Sequence, residues 1–447
     1  MPKAALHNLG CKVNAYETEA MKQQLAERGY EIVPFDQKAD VYIINTCSVT
    51  NIADRKSRQM LHRAKKLNPE AVVVAAGCYV QVASDALKED DSVDIIVGNN
   101  NKARLADILE EYMKDRQGDE DGYVLDIARA REYEELHVSR LGEHTRAFIK
   151  VQDGCNQFCS YCIIPYARGR VRSRKPEDVE AEVKGLVARG YREVVLTGIH
   201  LSSYGTEHME GSPVKGGDWD SGPLWDLIER IHRVEGLERI RFMTSHPKDL
   251  SDELIEVMAK SKKICRHLHL PLQSGSSRIL KAMNRRYTKE QYLALAEKIK
   301  TAIPDISLTT DIIVGFPGET EEDFQETLDV VRKVRFDSAF TFIYSKRTGT
   351  PAAAMENQVP EDVVKNRFDR LLKEVQDISA EVCGRDVHTV QTVLVEEVND
   401  HSPELVTGRM SNNTIVHFPG DASLIGKLVD VYLEESKGFY YMGRLNQ

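Results

Sequence analysis

The chain contains 447 residues, of which 41% are hydrophobic and 29% are charged, and its formal net charge is −10. A chain of this length exceeds one ordinary hydrophobic core, so two or three domains are expected. The acidic balance argues mildly against a general nucleic-acid binder, which would be basic overall, but it is compatible with a local basic face.

The first ten residues and the longest apolar runs bear on where the protein resides. Residues 1–10 lack the apolar core of a signal peptide. The apolar run 71–80 has about half the length that a membrane-spanning helix needs. The sequence therefore predicts a cytoplasmic protein without a membrane anchor. In such a protein, the eight cysteines favour metal binding or catalysis over disulfides.

Residues 1 to about 105 alternate between strand-like and helix-like segments. Strands are predicted at 3–9, 40–45, 71–76 and 94–97, and the clearest helices between them at 16–28 and 52–67. This alternation predicts a parallel α/β sheet of the doubly wound kind. The stretch 115–142 is highly charged and has little periodicity, so it is interpreted as a linker.

The alternation restarts at residue 147 and continues for six strand–helix units. Strands are predicted at 147–151, 193–196, 239–243, 267–270, 307–314 and 338–344, and helices at 176–189, 223–234, 251–259, 289–302 and 321–334. Six units are too few for a closed eight-fold barrel and favour an open, partial (β/α)6 barrel. A further helix, 359–382, would leave that barrel.

The last segment changes to β-branched runs at 389–398, 414–418 and 427–433. These runs, separated by turn residues, predict a small antiparallel β-barrel of about five strands. The predicted domains are thus an amino-terminal domain at 1–114, a linker at 115–140, a core domain at 141–372, and a connecting helix with a small barrel at 373–447.

Three cysteines follow the first strand of the core segment in the run Gly-Cys-Asn-Gln-Phe-Cys-Ser-Tyr-Cys. They are Cys155, Cys159 and Cys162. In a barrel of parallel strands, the loop after a strand opens onto the functional face. Three thiolates can hold a 4Fe–4S cluster and leave one iron open to a substrate amine and carboxylate. Structural zinc is the alternative, but it usually requires four ligands in paired short spacings.

A second set of cysteines is widely spaced but shares one context. Cys11, Cys47 and Cys78 each end a predicted strand of the amino-terminal segment. In a parallel sheet, all three thiols would emerge at the carboxyl edge, where open α/β sheets bind ligands. A second cluster with three protein ligands is the sharper hypothesis. Three buried apolar cysteines or a catalytic zinc site are the alternatives.

The core motif Cys-x-x-x-Cys-x-x-Cys, with an aromatic residue before the last cysteine, resembles the signature of the radical S-adenosylmethionine superfamily. That resemblance implies that S-adenosylmethionine is held by residues at the strand ends. At the fifth strand end, glycines would let a flat adenine approach the backbone. The implied cofactor contacts are Tyr161, Thr197, Gly198, Ser245, Gln273, Gly315 and Pro317.

The two cysteine sets, followed by a small β-barrel, resemble the methylthiotransferases over nearly the whole chain. The resemblance implies a cluster domain, a radical core and a carboxyl-terminal TRAM domain. It also implies two 4Fe–4S clusters. One reduces S-adenosylmethionine to a 5′-deoxyadenosyl radical, and the other, on Cys11, Cys47 and Cys78, carries the sulfur that is methylated and inserted. The implied partners are tRNA, at the adenosine 3′ of the anticodon, and an electron donor such as flavodoxin or ferredoxin.

Subgroups of that family differ in substrate, and the chain resembles two of them. Residues 1–200 are similar to the MtaB-like group, which acts on N6-threonylcarbamoyladenosine-37, in the motifs Leu-Gly-Cys-Lys-Val-Asn-Ala-Tyr-Glu-Thr and Leu-Thr-Gly-Ile-His. From Arg241 the chain is similar to the MiaB-like group, which acts on N6-isopentenyladenosine-37, in Thr-Ser-His-Pro-Lys-Asp and Gly-Arg-Met-Ser-Asn-Asn-Thr. We interpret the sulfur-carrying half as favouring the threonylcarbamoyl substrate.

Other functions remain open on the sequence. The isopentenyl substrate is the first alternative, and an aspartate of a ribosomal protein, the RimO-like substrate, is the second. A radical enzyme that inserts no sulfur, with zinc on Cys11, Cys47 and Cys78, is a third. A non-enzymatic RNA-binding iron–sulfur protein is a fourth.

Two basic stretches are candidates for contact with RNA phosphates. One is the predicted helix after Cys47, with Arg55, Lys56, Arg58, Arg63, Lys65 and Lys66. The other follows the core cysteines and contains Arg168, Arg170, Arg172 and Arg174. From Glu381 onward the chain carries five Lys/Arg against ten Asp/Glu. The sequence therefore predicts that tRNA affinity resides largely in the two basic stretches.

Overall fold

The computed structural model of the protein describes residues 1–115, 123–138, 145–209, 223–242 and 244–446. Within these ranges the chain forms an amino-terminal parallel sheet with helices, an open barrel of six parallel strands, and a small closed barrel. The predicted α/β multidomain fold is confirmed. Across the described part of the chain, no helix combines the length and apolarity that a bilayer crossing needs.

The amino-terminal unit is a five-stranded sheet in the order β2-β1-β3-β4-β5 with every pair parallel. Its strands are β1 Lys3–Asn8, β2 Glu31–Val33, β3 Val41–Thr46, β4 Val72–Gly77 and β5 Ile95–Val97, and its helices are α1 Lys12–Glu27, α2 Asn51–Leu67, α3 Cys78–Lys88 and α4 Leu105–Asp115. The central strands β3 and β4 are buried along their whole length, which explains their continuous apolar sequences. The sequence did not predict the edge strand β2, which is only three residues long.

The core unit has six parallel strands in chain order. Its elements are β6 Arg146–Lys150, β7 Gln152–Asp153, α5 Ile164–Arg168, β8 Arg172–Ser173, α6 Pro176–Ala188, β9 Glu193–Thr197, α7 Leu224–His232, β10 Arg239–Phe242, α8 Asp252–Lys260, β11 His267–His269, α9 Ser277–Ala282, α10 Lys289–Ala302, β12 Ser307–Val314, α11 Glu321–Val334, β13 Ser338–Ile343 and α12 Glu361–Val382.

Strands β6, β9 and β10 form one sheet and β11, β12 and β13 another, and a parallel bridge between Thr244 and His269 joins the two. The short strands β7 and β8 pair with each other. The predicted partial barrel is confirmed. Residue 243, the end of the third predicted strand, lies outside the described residues.

Helices α10 and α11 begin and end at the residues that the sequence predicts. The side chains of Thr288 and Thr320 each accept a hydrogen bond from the backbone N–H of the third helical residue. The side chain of that third residue in turn accepts a hydrogen bond from the backbone N–H of the threonine. Such capping boxes satisfy backbone donors that the helix leaves unpaired. Local sequence therefore determines where these two helices start.

Part of the predicted linker is folded against both neighbouring units. Tyr123 forms a parallel bridge with Val97 of the first sheet. Leu136 and Val138 are buried in the core of the six-stranded unit, and the Leu136 carbonyl accepts a hydrogen bond of 2.8 Å from the Tyr16 hydroxyl. The rest of the predicted linker, 116–122 and 139–140, lies outside the described residues, as do residues 141–144.

The carboxyl-terminal unit is a closed barrel in the order β14-β15-β16-β18-β17. Its strands are β14 Val390–Val398, β15 Leu405–Met410, β16 Ile415–Pro419, β17 Leu428–Ser436 and β18 Tyr440–Leu445. Five strands were predicted and are confirmed, but the fully antiparallel arrangement is wrong for one pair. Strands β16 and β18 run parallel, because β17 pairs with β14 on the far side and β18 closes the ring between them.

Two buried arginines of β10 hold the small barrel on the core. Arg239 donates hydrogen bonds to the carbonyls of Thr392 and Arg409 at 2.6 and 3.0 Å. Arg241 donates to the carbonyls of Met410 and Ser411, both at 3.1 Å. These four bonds join backbone carbonyls of the small barrel to a buried strand of the core.

Replacing Arg241 with alanine is expected to loosen the small barrel. The change removes two bonds to the barrel and leaves Glu193, a buried carboxylate 2.8 Å from Arg241, without its nearest cation. Limited proteolysis should show several-fold faster cleavage within 383–446. Alanine at Arg192, whose pair with Glu238 is exposed, should change the rate little, because exposed pairs contribute about 0–1 kcal/mol. Equal rates in both variants would contradict this docking role.

Candidate active site

A cavity of about 880 Å³ opens at the carboxyl ends of the core strands. All three core cysteines line it, and so does Cys11 of the amino-terminal sheet. Cys47 and Cys78 lie beside Cys11, close enough for their charges to interact. The structure thus brings both predicted cysteine sets to one cavity, although Cys11 and Cys162 are 151 residues apart in the sequence.

The loop of the core cysteines folds tightly on itself. Gly154 has a φ of +73°, and a Cβ there would lie 1.8 Å from the Arg170 carbonyl oxygen, so only glycine fits. The Cys155 amide donates to the Gly169 carbonyl at 3.0 Å. Burial raises the pKa of Cys155 to about 11 and that of Cys162 to about 12. These thiols would lose their protons to solvent on binding a metal, because the thiolate is the ligand.

Two glycines let the strand ends that carry the amino-terminal cysteines converge. Gly10 has a φ of +100°, and a Cβ there would lie 2.7 Å from the Cys47 sulfur. Gly77 has a φ of +97°, and a Cβ there would lie 2.5 Å from the side-chain oxygen of Asn45. Each glycine precedes a cysteine, so the backbone turns at the point where the thiol emerges.

Each cysteine set has one buried arginine directed at a sulfur. Arg168 donates from Nε to the Cys78 sulfur at 3.1 Å, and Arg285 donates to the Cys159 sulfur at 3.7 Å. Hydrogen bonds to cysteine sulfurs help to set the potential of a bound cluster. Arg285 is a residue that sequence reasoning missed, since no motif marks it.

The predicted RNA contacts of Arg168, Arg172 and Arg174 are wrong. These three side chains are at most 1% exposed, so they do not reach RNA phosphates in this fold. Each is directed at buried carboxylates instead, because an unpaired buried charge is costly. Arg170 is exposed and stacks its guanidinium over Phe158, 4.7 Å from the ring centre. Its RNA contact stays a prediction.

Buried charges beneath the amino-terminal cysteines carry an excess of cations. The cations are Lys102, Lys150, Arg168 and Arg172, and the carboxylates beside them are those of Glu17, Asp153 and Glu134, the last with a pKa that burial raises. Burial alone would raise the pKa of Glu17, but the surrounding cations hold it well below the ordinary range.

Two nitrogens of Arg172 have no hydrogen-bond partner among the described residues. Arg168 reaches the Cys78 sulfur from this group of cations, and a cluster on three thiolates would supply negative charge to the group. The residues present therefore fit a cluster on Cys11, Cys47 and Cys78.

Four of the predicted S-adenosylmethionine contacts line the cavity: Tyr161, Thr197, Gly198 and Gln273. Ser245, Gly315 and Pro317 do not line it. The Ser245 amide donates to the His269 carbonyl at 3.0 Å. A Cβ on Gly315 would lie 2.5 Å from Val364 of α12, so this glycine packs against a helix. Pro317, two residues further, is buried.

Two buried histidines that line the cavity share a partly exposed aspartate, and this group was not predicted as a site. Oδ2 of Asp249 lies 3.2 Å from Nε2 of His200 and 3.4 Å from Nδ1 of His246. Burial lowers the pKa of His246 to about 4. Asp249 also accepts a hydrogen bond of 3.0 Å from Gln157 in the cysteine loop. The group therefore braces that loop. The motif Leu-Thr-Gly-Ile-His, which ends at His200, was the available signal.

A second cavity, of about 580 Å³, adjoins the first and separates the core sheet from the small barrel. Lys12, Thr244 and Phe340 line both cavities. Many residues lining the second cavity carry polar side chains, among them His267, His269, Ser307, Thr309, Arg409, Asn412 and the carboxylates Asp311 and Asp337. Sequence reasoning missed this space, because its walls come from distant parts of the chain.

The fold and the cysteine loop together define a class of protein, the radical S-adenosylmethionine enzymes. The model of the Radical SAM superfamily matches residues 149–331, that of the uncharacterized protein family UPF0004 matches 3–98, and that of the TRAM domain matches 384–445. The fold is similar to that of TsrM, a radical S-adenosylmethionine methyltransferase of Kitasatospora setae, with a TM-score of 0.57 and 16% identity over 88% of this chain and 80% of that one.

Full-length relatives narrow the class. The chain is 47% identical to a tRNA-2-methylthio-N(6)-dimethylallyladenosine synthase of Lachnoclostridium phytofermentans, covering 98% of this chain and 94% of that one. It is 44% identical to the threonylcarbamoyladenosine tRNA methylthiotransferase MtaB of Bacillus subtilis, covering 96% and 93%. The chain therefore belongs to the methylthiotransferase family of radical S-adenosylmethionine enzymes. The prediction of a transferase is confirmed, and the non-enzymatic alternative is dropped. Membership of the class implies a 4Fe–4S cluster and S-adenosylmethionine.

Proposed function

We propose that this enzyme inserts a methylthio group at C2 of a modified adenosine in tRNA, using two 4Fe–4S clusters. The main observation in support is that Cys11 and all three core cysteines line one cavity. When bound, the cluster at the core cysteines would supply a carbon radical from S-adenosylmethionine, and the cluster at the amino-terminal cysteines would supply a methylated sulfur. In this proposal Cys155, Cys159 and Cys162 hold the first cluster, and Cys11, Cys47 and Cys78 hold the second.

The cavity walls support binding of S-adenosylmethionine and an adenine together. Thr197, Gly198 and Gln273 stand at strand ends beside the core cysteines, where we place the cofactor. Phe340 and Phe342 also line the cavity and remain about half exposed, at 57% and 49%. Aromatic faces of this kind stack on bases. They would hold the adenine and keep water from the radical.

The second cavity supports N6-threonylcarbamoyladenosine-37 as the substrate. A threonylcarbamoyl group carries a urea, a hydroxyl and a carboxylate, and it needs polar walls and a cation. The second cavity offers both, since Ser307, Thr309 and Asn412 line it and Lys12 stands where it meets the first cavity. Asp311 and Asp337 also line it, so the carboxylate of the substituent would rely on the cations Lys12 and Arg409. If the adenine lies in the first cavity, its N6 substituent would project into the second cavity beside the Lys12 ammonium group.

N6-isopentenyladenosine-37 is the second candidate substrate. The exposed rings of Phe340 and Phe342 favour it, because they could pack against an apolar branched group. The relative from Lachnoclostridium phytofermentans is named for the dimethylallyl compound. An aspartate of a ribosomal protein is the third candidate, and no wall of either cavity argues for it specifically.

Nucleoside mass spectrometry tests the proposal. The gene would be expressed in a host that lacks its own methylthiotransferases, and total tRNA would be digested and compared with and without the chain. A methylthio derivative of threonylcarbamoyladenosine is the expected product. The methylthio derivative of isopentenyladenosine would instead establish the second candidate. If both products were absent, the result would contradict a tRNA substrate and direct attention to the ribosomal protein.

Replacing Lys12 with alanine is expected to weaken binding of the threonylcarbamoyl substrate more than binding of the isopentenyl substrate. A hydrogen bond to a charged group contributes about 1.5–3 kcal/mol, which corresponds to roughly 10- to 100-fold in affinity. Titration of the apo-protein with anticodon stem-loops carrying each modification measures the effect. Binding of the isopentenyl stem-loop should change less than threefold, and Lys12→Arg should retain most of the affinity. Equal losses for both stem-loops would indicate contact with a phosphate rather than with the substituent.

A further inference from the structure

We propose that Arg168 positions the amino-terminal cluster and raises its reduction potential through an N–H···S bond to Cys78. The proposal rests on the proposed function, since it requires a cluster on the amino-terminal cysteines. Nε of Arg168 lies 3.1 Å from the Cys78 sulfur, and the side chain is fully buried. Arg168 belongs to the core domain and lies six residues after Cys162. One domain thus donates a hydrogen bond to a ligand of the other domain's cluster.

Buried partners on both terminal nitrogens hold the guanidinium in place. The two terminal nitrogens donate hydrogen bonds to the carboxylate of Glu17 and to the side-chain oxygen of Asn14. Glu17 is held in turn by Lys150 at 2.8 Å. A guanidinium fixed on three sides keeps its Nε–H directed at the sulfur.

Asn14 extends this contact to the other two cysteines. Its amide nitrogen donates to the carbonyls of Leu9 and Thr46 at 2.7 and 3.0 Å. Thr46 immediately precedes Cys47, and Leu9 lies two residues before Cys11. The Cys11 sulfur also lies 4.0 Å from the Asn14 side-chain oxygen. Through Asn14, Arg168 is therefore connected to the backbone that carries the remaining thiols.

A buried cation that donates to a thiolate stabilises the more electron-rich, reduced state of a cluster. Loss of the Nε–H should therefore lower the potential and weaken retention of the iron. Because the donor comes from the core domain, retention of the amino-terminal cluster should also depend on docking of the two domains.

The test uses the full chain with Cys155, Cys159 and Cys162 replaced by alanine, so that only the amino-terminal set can hold iron. Arg168→Lys keeps the charge and loses the Nε–H. After anaerobic reconstitution, it should hold at most half as much iron per chain and reach half-reduction at a more negative potential. Arg174→Lys is the matched control, because Arg174 is equally buried but pairs with Glu135 and Glu182. Unchanged iron and potential in Arg168→Lys would overturn the proposal.

A second measurement needs no substitution at Arg168. In the same alanine background, labelled with 15N-arginine, pulsed electron paramagnetic resonance of the reduced cluster should detect coupling to one arginine nitrogen. This result decides the matter even if Arg168→Lys fails to fold. A cluster of four irons without any arginine coupling would overturn the proposal. Failure of the background chain to bind iron, with normal circular dichroism, would instead refute the proposed second cluster.

Discussion

Replacing Cys78 with alanine is expected to abolish methylthio transfer while leaving reductive cleavage of S-adenosylmethionine intact. The change removes one of three thiols from the amino-terminal set and leaves the core set complete. We expect methylthiolated product to fall at least about 1,000-fold, a loss of roughly 4 kcal/mol in transition-state stabilisation. Formation of 5′-deoxyadenosine should stay within about threefold of the unaltered enzyme. Both products can be quantified by mass spectrometry in one anaerobic reaction.

Cys265 provides the matched control for that experiment. It is also a buried cysteine, 2% exposed, but it lies near Arg241 and Ser411 at the junction with the small barrel. Cys265→Ala should retain both activities. Product formation by Cys78→Ala at a rate near that of the unaltered enzyme would show that the amino-terminal set does not supply the sulfur. Loss of 5′-deoxyadenosine as well would indicate a structural role for Cys78.

Replacing Glu17 with glutamine is expected to destabilise the protein strongly. The Glu17 carboxylate is 1% exposed and pairs with Lys102, Lys150 and Arg168. Glutamine fills the same space but leaves these cations without their shared anion. Breaking a buried ion pair in this way typically costs about 3–5 kcal/mol. Chemical denaturation monitored by circular dichroism measures the loss. Glutamine at Glu110, which pairs with Arg28 at the surface, should cost about 0–1 kcal/mol.

The same carboxylate predicts a dependence of stability on pH. The cations hold the pKa of Glu17 well below its ordinary value, so the folded state releases the proton more readily than the unfolded chain. Its contribution is therefore complete above the ordinary glutamate pKa, about 4.3, and is lost as the pH falls through the lowered value. The difference in stability between the unaltered protein and Glu17→Gln should shrink over that acidic range. A difference that is constant with pH would contradict the assigned ion pairs.

Much of the fold could be predicted because its signals are local. The strand–helix alternation predicted the parallel sheet and the open barrel, and Thr288 and Thr320 explain why two helices begin where the sequence predicts. Both cysteine sets could also be identified, because each thiol follows a strand and parallel strands end at a common edge. The short edge strand β2 was missed because three residues give no periodicity.

The charged and polar groups of the site were predicted less well, because their roles depend on partners from other segments. The run 168–174 looks like an RNA-binding stretch in sequence, yet three of its four arginines are buried. Their carboxylate partners, Glu17, Asp153 and Glu182, come from three other parts of the fold. Arg285 and the polar second cavity carry no motif and become visible only when distant elements meet.

The amino-acid sequence by itself determined the two cysteine sets, the three kinds of folded unit and the family, because these are encoded in short motifs and in the period of apolar residues. Only the tertiary structure decided that Cys11 and the core cysteines line one cavity, and that Arg168 points at Cys78 and not at RNA. The physical reason is that burial converts a charged side chain from a solvated surface group into one that must find a partner. The position of that partner is set by chain packing, which no local pattern records.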